Sequence, residues 1–422
     1  MIEKMNKTDY DILFIGGVYE EGKEKDYLDK TKTGGIQNAV NTHQWNFIRG
    51  LDSNNESPVN ILSARYVGSY PRYSEIYVKK NVWEHKDGAK DENIGFLNIS
   101  IIKNFERKWK LVVKAKKWAQ NKSNKEKVIL CYYPSIPQME AAIKAKKIES
   151  NIKIVLIIPD IPKFMNLQDK KSKAKDKISK IMEEQQEKLI QKFDGYILLT
   201  EEMQRPLKLQ NKDKIIIEGI VDVTDKEKSQ IILKSTHKNI VYSGSLHKKY
   251  GIQNYINAIR LIKDKDIVFY IFGSGEMEDE IIELSKKDER VKFMGYKPRS
   301  EVLEFQRNAT LLINPRNDKE EFVKYSFPSK LIEYMLSGTP VLTSKLPCIP
   351  EEYYPYLFFI DGEITPQNLK NSILKNICLN EKVLERRGQE ARKFVLENKN
   401  YIVQGEKILN LIKKIDLGGK SK

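Results

Sequence analysis

The sequence predicts an α/β chain of two doubly wound domains, on three observations. At 422 residues it is too long for one hydrophobic core and fits two domains of about 200 residues. Short apolar runs alternate with helical patterns along most of its length, the pattern of parallel strands joined by crossover helices. Several of those runs close on glycine just before a helix, which places ligands at the carboxyl ends of the strands. The divisions expected are 1–230 and 231–400 for the two domains, with a last helix at 401–422.

In chain order, Tyr10 to Gly17 (YDILFIGG) reads as the first buried strand. Thr33-Gly34-Gly35-Ile36 precedes a helix carrying Ala39, Val40, Trp45, Phe47 and Ile48. Val59–Ser63, Val128–Tyr133, Ile152–Ile158 and Tyr196–Leu199 are further strands. Ile101 to Ala119 spaces Ile102, Phe105, Trp109, Val112 and Val113 at near-helical intervals, with lysines opposite. The simplest expectation is an apolar side packed on the core and a wet basic side. Tyr133 closes one strand and Asp160 the next, both on the ligand-facing edge. Val223 to Lys238 is polar enough to link two domains.

The second domain opens with NIVYSGSLHKKYGI, a strand, a turn at Gly244 and Ser245, and a helix after Gly251. A strand–glycine–helix unit binds phosphate in some proteins and is a plain turn in others. DIVFYIFGSG repeats the pattern and ends at Gly273 to Gly275, VKFMGYK ends at Tyr296 and Lys297, and ATLLINP is the next strand. Tyr325 to Thr343 (YSFPSKLIEYMLSGTPVLT) then reads as loop, helix, stop and strand. Pro328 and Ser329 suit the first turn, and Gly338 followed by Pro340 ends the helix. Lys330 and Glu333 share one face near its N-terminus, where free N–H groups and the helix dipole attract anions. Taken alone, such a pair is most often an exposed ion pair.

F-P-S-K-L-x-E-Y-M-x-S-G-x-P-V-L strongly resembles the signature helix of glycosyltransferase family 4, in the form seen in bacterial surface-polysaccharide enzymes. The resemblance implies the GT-B fold, two Rossmann-like domains facing each other across a cleft, with 1–230 binding the acceptor, 231–400 the nucleotide sugar, and the 401–422 helix crossing back to the N-terminal domain. It also implies retaining transfer of a hexosyl group from a UDP- or GDP-sugar to a glycan acceptor, lipid-linked, in capsule, exopolysaccharide or O-antigen assembly. No cofactor or metal is implied. On this resemblance Lys330 and Lys249 stabilise the leaving diphosphate, and Glu333 holds the ribose. Gly35, Gly244, Ser245, Gly273 and Ser329 lie against phosphates, Tyr296 and Lys297 bracket the base, and Asp160 and Tyr133 stand on the acceptor side. The chain departs from the pattern three times. Ser245 replaces an arginine, and Tyr250 a lysine, so that either Lys248 or Lys249 must supply the charge, with Lys249 favoured. Tyr325 replaces the glutamate eight residues before Glu333 that contacts the transferred sugar. These losses leave open a non-catalytic subunit that stabilises a partner transferase.

A net charge of +16 asks for a partner or a solvated surface. Much of it falls between Lys103 and Lys127 and between Lys163 and Lys180. Lysine without interleaved aromatics on a groove argues against nucleic acid, and an anionic inner membrane surface is the expected partner. No apolar run reaches about 18 residues and Met1 to Tyr10 has no signal-peptide core, so a cytoplasmic enzyme, peripheral at the membrane, is expected. Three separated cysteines and four histidines support neither a disulfide framework nor a zinc site.

Overall fold

The computed structural model describes residues 7–32, 38–100, 102–161, 173–222, 238–317, 319 and 321–415. Gly35, the 230/231 division and most of the Val223–Lys238 linker lie outside them, as does much of the second basic run. The chain forms two compact units, Met1–Ile220 with Tyr401–Lys422, and Val221–Asn400.

The first unit is built on β1 (Asp11–Gly16), β2 (Asn60–Ser63), a β3–β6 excursion (Tyr77–Val78, Asn81–Trp83, Asp91–Asn93, Phe96–Leu97), β7 (Lys127–Tyr132), β8 (Lys153–Ile158), β9 (Gly195–Leu198) and β10 (Asp213–Ile216). One eight-stranded sheet runs β10-β9-β8-β7-β1-β2-β5-β4, parallel except for edge strand β4. Continuous apolar runs such as VILCY and KIVLII are buried along nearly their whole length, as strands covered on both faces must be. The covering helices are α1 (Glu24–Asp29), α2 (Asn38–Asn54), α3 (Ile102–Gln120), α4 (Ile136–Lys146) and α5 (Lys173–Ile190). The last helix of the chain, Tyr401–Lys414, also packs here, across α2. Two glycines permit that crossing: a Cβ on Gly50 would lie 2.4 Å from the Tyr401 carbonyl oxygen, and one on Gly405 2.1 Å from that of Gly50.

α3 corrects the expectation for its apolar side. Its buried residues are Arg107, Leu111, Ala115 and Ala119, while Ile102, Phe105, Trp109 and Val113 are exposed. The reason lies in packing against α4. Ala115 and Ala119 face a helix that buries Ala141, Ala142 and Ala145, and small side chains let the two backbones approach closely. Arg107 is drawn in by stacking on Phe96 and Tyr66 and by donating to the Ala64 carbonyl at 2.8 Å. The bulkier face is left outward.

The second unit contains β11 (Lys238–Ser243), α6 (Ile252–Leu261), β12 (Ile267–Phe272), α7 (Glu278–Lys287), β13 (Val291–Gly295), α8 (Arg299–Arg307), β14 (Leu311–Asn314), α9 (Ser329–Ser337), β15 (Val341–Thr343), β16 (Phe358–Phe359), α10 (Pro366–Ile377) and α11 (Glu381–Asn398); the Tyr401–Lys414 helix is α12. Its six strands are all parallel, in the order β13-β12-β11-β14-β15-β16. The order reverses between β11 and β14, and a ligand crevice forms at the carboxyl ends of strands flanking such a reversal. In the first unit the reversal falls between β1 and β7.

Candidate functional site

β11 ends at Ser243, just before Gly244, and β14 at Asn314, just before Pro315, so the reversal point is lined by the loop 244–251. That loop is tightly specified. A Cβ on Gly273 would stand 1.8 Å from the Gly244 carbonyl oxygen, and one on Gly251 1.9 Å from that of Pro315; both glycines have positive φ, 134° and 84°. The Gly244 N–H donates to Phe272 and the Leu246 N–H to Ser274, binding the loop to the end of β12. Gly244 and Gly273 are thus brought together.

α9 delivers the charged pair. It begins after Pro328 with no side-chain cap, and of its first-turn N–H groups that of Leu331 donates to the Pro328 carbonyl at 2.7 Å. Gly338 stops it in the left-handed conformation, its N–H bonded to the Met335 carbonyl. Leu331, Ile332, Tyr334, Met335 and Leu336 are buried, and this sets Lys330 and Glu333 on the remaining face. Lys330 Nζ donates to Glu333 Oε1 at 2.8 Å; the lysine is half-exposed and the glutamate 16% exposed.

Residues that the sequence reading did not single out fix this glutamate. Gln306, fully buried on α8, donates from Nε2 to Glu333 Oε1 at 2.8 Å and to Ser243 Oγ at 2.9 Å. Arg299 Nε lies 3.5 Å from Glu333 Oε2. Burial alone would raise the Glu333 carboxyl; the charge of Lys330, hydrogen bonds from Lys330 and Gln306, and the charge of Arg299 outweigh it and hold the group below its ordinary value. Glu333 is therefore an oriented carboxylate with Oε2 still able to accept. The buried Tyr334 hydroxyl accepts from the Ser243 N–H at 2.7 Å and donates to the Ser243 carbonyl at 3.0 Å, pinning α9 to the end of β11. The available signal was a polar residue inside an apolar stripe: Gln306 stands one turn after Val302.

The remaining positions divide. Lys249 is half-buried over the rings of Tyr250 and Phe322, at 5.2 and 5.9 Å, whereas Lys248 is exposed and its backbone N–H donates to Glu276. Arg316, buried, stacks over the same two rings and donates to the Ser326 carbonyl at 3.0 Å, which adds a cation to the loop leading into α9. Ser245 has an exposed side chain and its carbonyl accepts from Tyr242 at 2.7 Å. Tyr296 is 84% exposed, Lys297 pairs with Glu301 at 3.0 Å, Ser329 opens α9 from an exposed position, and Tyr325 Oη lies 3.5 Å from Glu321.

Tyr133 and Asp160 belong to the first unit. Tyr133 has a φ of 73°, with its N–H on the Ile157 carbonyl, and its phenol is raised by burial and then by the charge of Asp160. Beside them His43 Nδ1 lies 2.9 Å from Tyr132 Oη, and burial lowers the imidazole to about 4, so it is neutral at pH 7. Among the described residues no group of three or more His, Cys, Asp or Glu gathers as metal ligands would.

Two mostly parallel sheets, each with a reversal of strand order, define an α/β architecture of the Rossmann kind. Residues 223–394 match the family model of the glycosyl transferases group 1, and that match supports glycosyl transfer. Solved structures similar to the chain include the sucrose-phosphate synthase of Thermosynechococcus elongatus, at 16% identity and a TM-score of 0.62, over 96% of this chain and 98% of that one. The lipopolysaccharide outer core galactosyltransferase WaaB is similar at 15% identity and 0.59, over 96% and 99%. Anabaena HepE, solved in complex with UDP, is similar at 14% and 0.55, again over 96% and 99%. At these identities the likeness shows the fold, GT-B with two Rossmann-like units. No curated protein sequence matches the chain.

Proposed function

We propose that the protein is a retaining glycosyltransferase of the bacterial surface-polysaccharide type of family 4, moving one sugar from a nucleoside diphosphate sugar to a lipid-linked glycan acceptor. The observation that carries this reading is the Lys330–Glu333 pair on an uncapped helix N-terminus at the reversal of a Rossmann-type sheet, with Glu333 held ionised and oriented through Gln306. The N–H groups of α9, with Lys330 and Lys249, neutralise the diphosphate as it departs. Glu333 Oε2 accepts from the ribose hydroxyls. Gly244, Ser245, Gly273 and Ser329 approach the phosphates; Tyr296 and Lys297 flank the base; Tyr325 faces the transferred sugar. Asp160 and Tyr133 serve the acceptor.

In the step itself the bond between the anomeric carbon and the phosphate oxygen breaks. The acceptor hydroxyl oxygen bonds to that carbon on the same face, and its proton passes to the departing phosphate. No dedicated base, cofactor or metal is invoked. UDP is the first nucleotide to test, because a similar structure holds it. The reaction is placed in capsule, exopolysaccharide or O-antigen assembly at the cytoplasmic face of the membrane.

The test is calorimetric titration of UDP, GDP and their sugars into the wild type, Lys330→Ala and Glu333→Ala. One diphosphate should bind, and each variant should weaken it by ~1.5–3 kcal/mol, about tenfold or more. A folded protein that binds none of the panel would overturn the transferase reading in favour of a non-catalytic subunit.

A further inference from the structure

Among the described residues the outward face of α3 is left uncovered. Ile102, Phe105, Trp109 and Val113 fall within an arc of about 80° on the helix, and all four are exposed, Phe105 by 76% and Trp109 by 60%. A soluble surface scatters its large apolar groups singly; four in register on one helix mark an interaction face. The flank of the stripe is basic on balance: it holds three lysines and one acid, Glu106, which pairs with Lys110 at 2.5 Å. Lys110, Lys114 and Lys117 follow one another along it, and Lys110 Nζ lies 5.9 Å from the ring of Tyr77, itself exposed, which widens the apolar patch onto β3. At the C-terminal end of the helix a cavity of about 520 Å³ is lined by Lys90, Lys114, Lys117, Lys122 and Lys125, against the acids Asp11 and Glu92. Glu92 is already paired with Lys114, at 2.9 Å, and with Lys80, at 3.2 Å.

We infer that α3 is an interfacial membrane helix: its Ile102–Phe105–Trp109–Val113 stripe inserts into the headgroup–acyl boundary of an anionic bilayer while the flanking lysines meet lipid phosphates. Aromatic and aliphatic groups on one face and lysine beside them is the arrangement by which helices lie in such an interface. A second copy of the chain is the weaker occupant, because pairing two such faces would bring like-charged lysine flanks together in a protein of net charge +16. No helix among the described residues is long and apolar enough to cross a membrane. The inference sharpens the lipid-linked acceptor reading by naming the docking face, yet it stands on α3 alone.

The experiment is co-sedimentation of the full chain with phosphatidylcholine vesicles, with and without phosphatidylglycerol, over a salt series. Wild type should bind the anionic vesicles at least tenfold better than the neutral ones. The Phe105→Ser/Trp109→Ser double variant should lose about tenfold or more of that binding with an unchanged melting temperature, because both side chains are solvent-facing. Trp109→Phe should retain the binding and lose most of the vesicle-induced blue shift in fluorescence. Equal vesicle binding by the double variant would refute the inference. So would a wild type that self-associates through this face, becomes monomeric in the double variant and ignores vesicles. Nucleotide titration of the same double variant separates this outcome from failure of the transferase reading.

Discussion

Gln306→Leu isolates the buried link between α8, β11 and α9. The side chain is fully buried and leucine is close to it in volume, so the substitution removes hydrogen bonds without opening a large cavity. Two bonds are lost, at 2.8 Å to the ionised Glu333 and at 2.9 Å to Ser243 Oγ. A bond to a charged group contributes roughly 1.5–3 kcal/mol and a neutral one about 0.5–1.5 kcal/mol. Against this, the substitution also removes Gln306 Oε1, a buried acceptor with no hydrogen-bond partner, and buries leucine methyls, which together offset about 1–2 kcal/mol. The net expectation is a loss of about 2 kcal/mol, or roughly 4–8 °C in melting temperature for a unit of this size. Glu333 loses one of its orienting donors, so its carboxyl rises and its affinity for a nucleotide ribose falls several-fold. Calorimetry would follow both the unfolding and the UDP titration. A variant that melts and binds like the wild type would refute the claim that Gln306 positions Glu333.

Other consequences follow from particular contacts. His85 is bonded through Nε2 to Asp52 at 2.9 Å and through Nδ1 to Asp91 at 2.7 Å; burial opposes its charge, but the two carboxylates prevail and hold it up at about 9. A raised folded-state value means that the stabilisation is complete below about 6.5 and disappears as pH climbs through 9. The rise from 6.5 to about 9 corresponds to about 3 kcal/mol. Wild type should therefore lose stability between pH 7 and pH 10 in denaturant titrations, and His85→Asn should show a flatter profile; parallel profiles would exclude the ion triad as the cause. Gly251→Ala should destabilise by at least about 2 kcal/mol, because φ is 84° and the added Cβ would overlap the Pro315 carbonyl. A melting curve within a degree of wild type would show that the loop has another conformation open to it.

The alternation of buried runs and helices was readable from residue order alone, because strands covered on both faces are apolar at every position and glycine marks their ends. The α9 helix was readable for the same kind of local reason: a proline start, an apolar stripe, a glycine stop, and a Lys–Glu pair three apart on the leftover face. Gln306, Arg299, Arg316 and Tyr334 were not, since each acts on a residue distant in sequence: Gln306 reaches 63 residues back to Ser243 and 27 ahead to Glu333. Which side of α3 faces inward was equally beyond local pattern. Periodicity shows that a helix has an apolar face, but the depth to which each face can sink depends on its neighbour. The alanines of α3 and α4 permit a closer approach than Phe105 and Trp109 would. Sequence by itself therefore determined the long buried strands, the main helices between them and the charged pair on α9, all set by spacing within a few residues, but not the short strands of the β3–β6 excursion, β10 or β16. The tertiary structure alone decided how Glu333 is held and which face of α3 meets the solvent, because both depend on packing between segments that the chain keeps far apart.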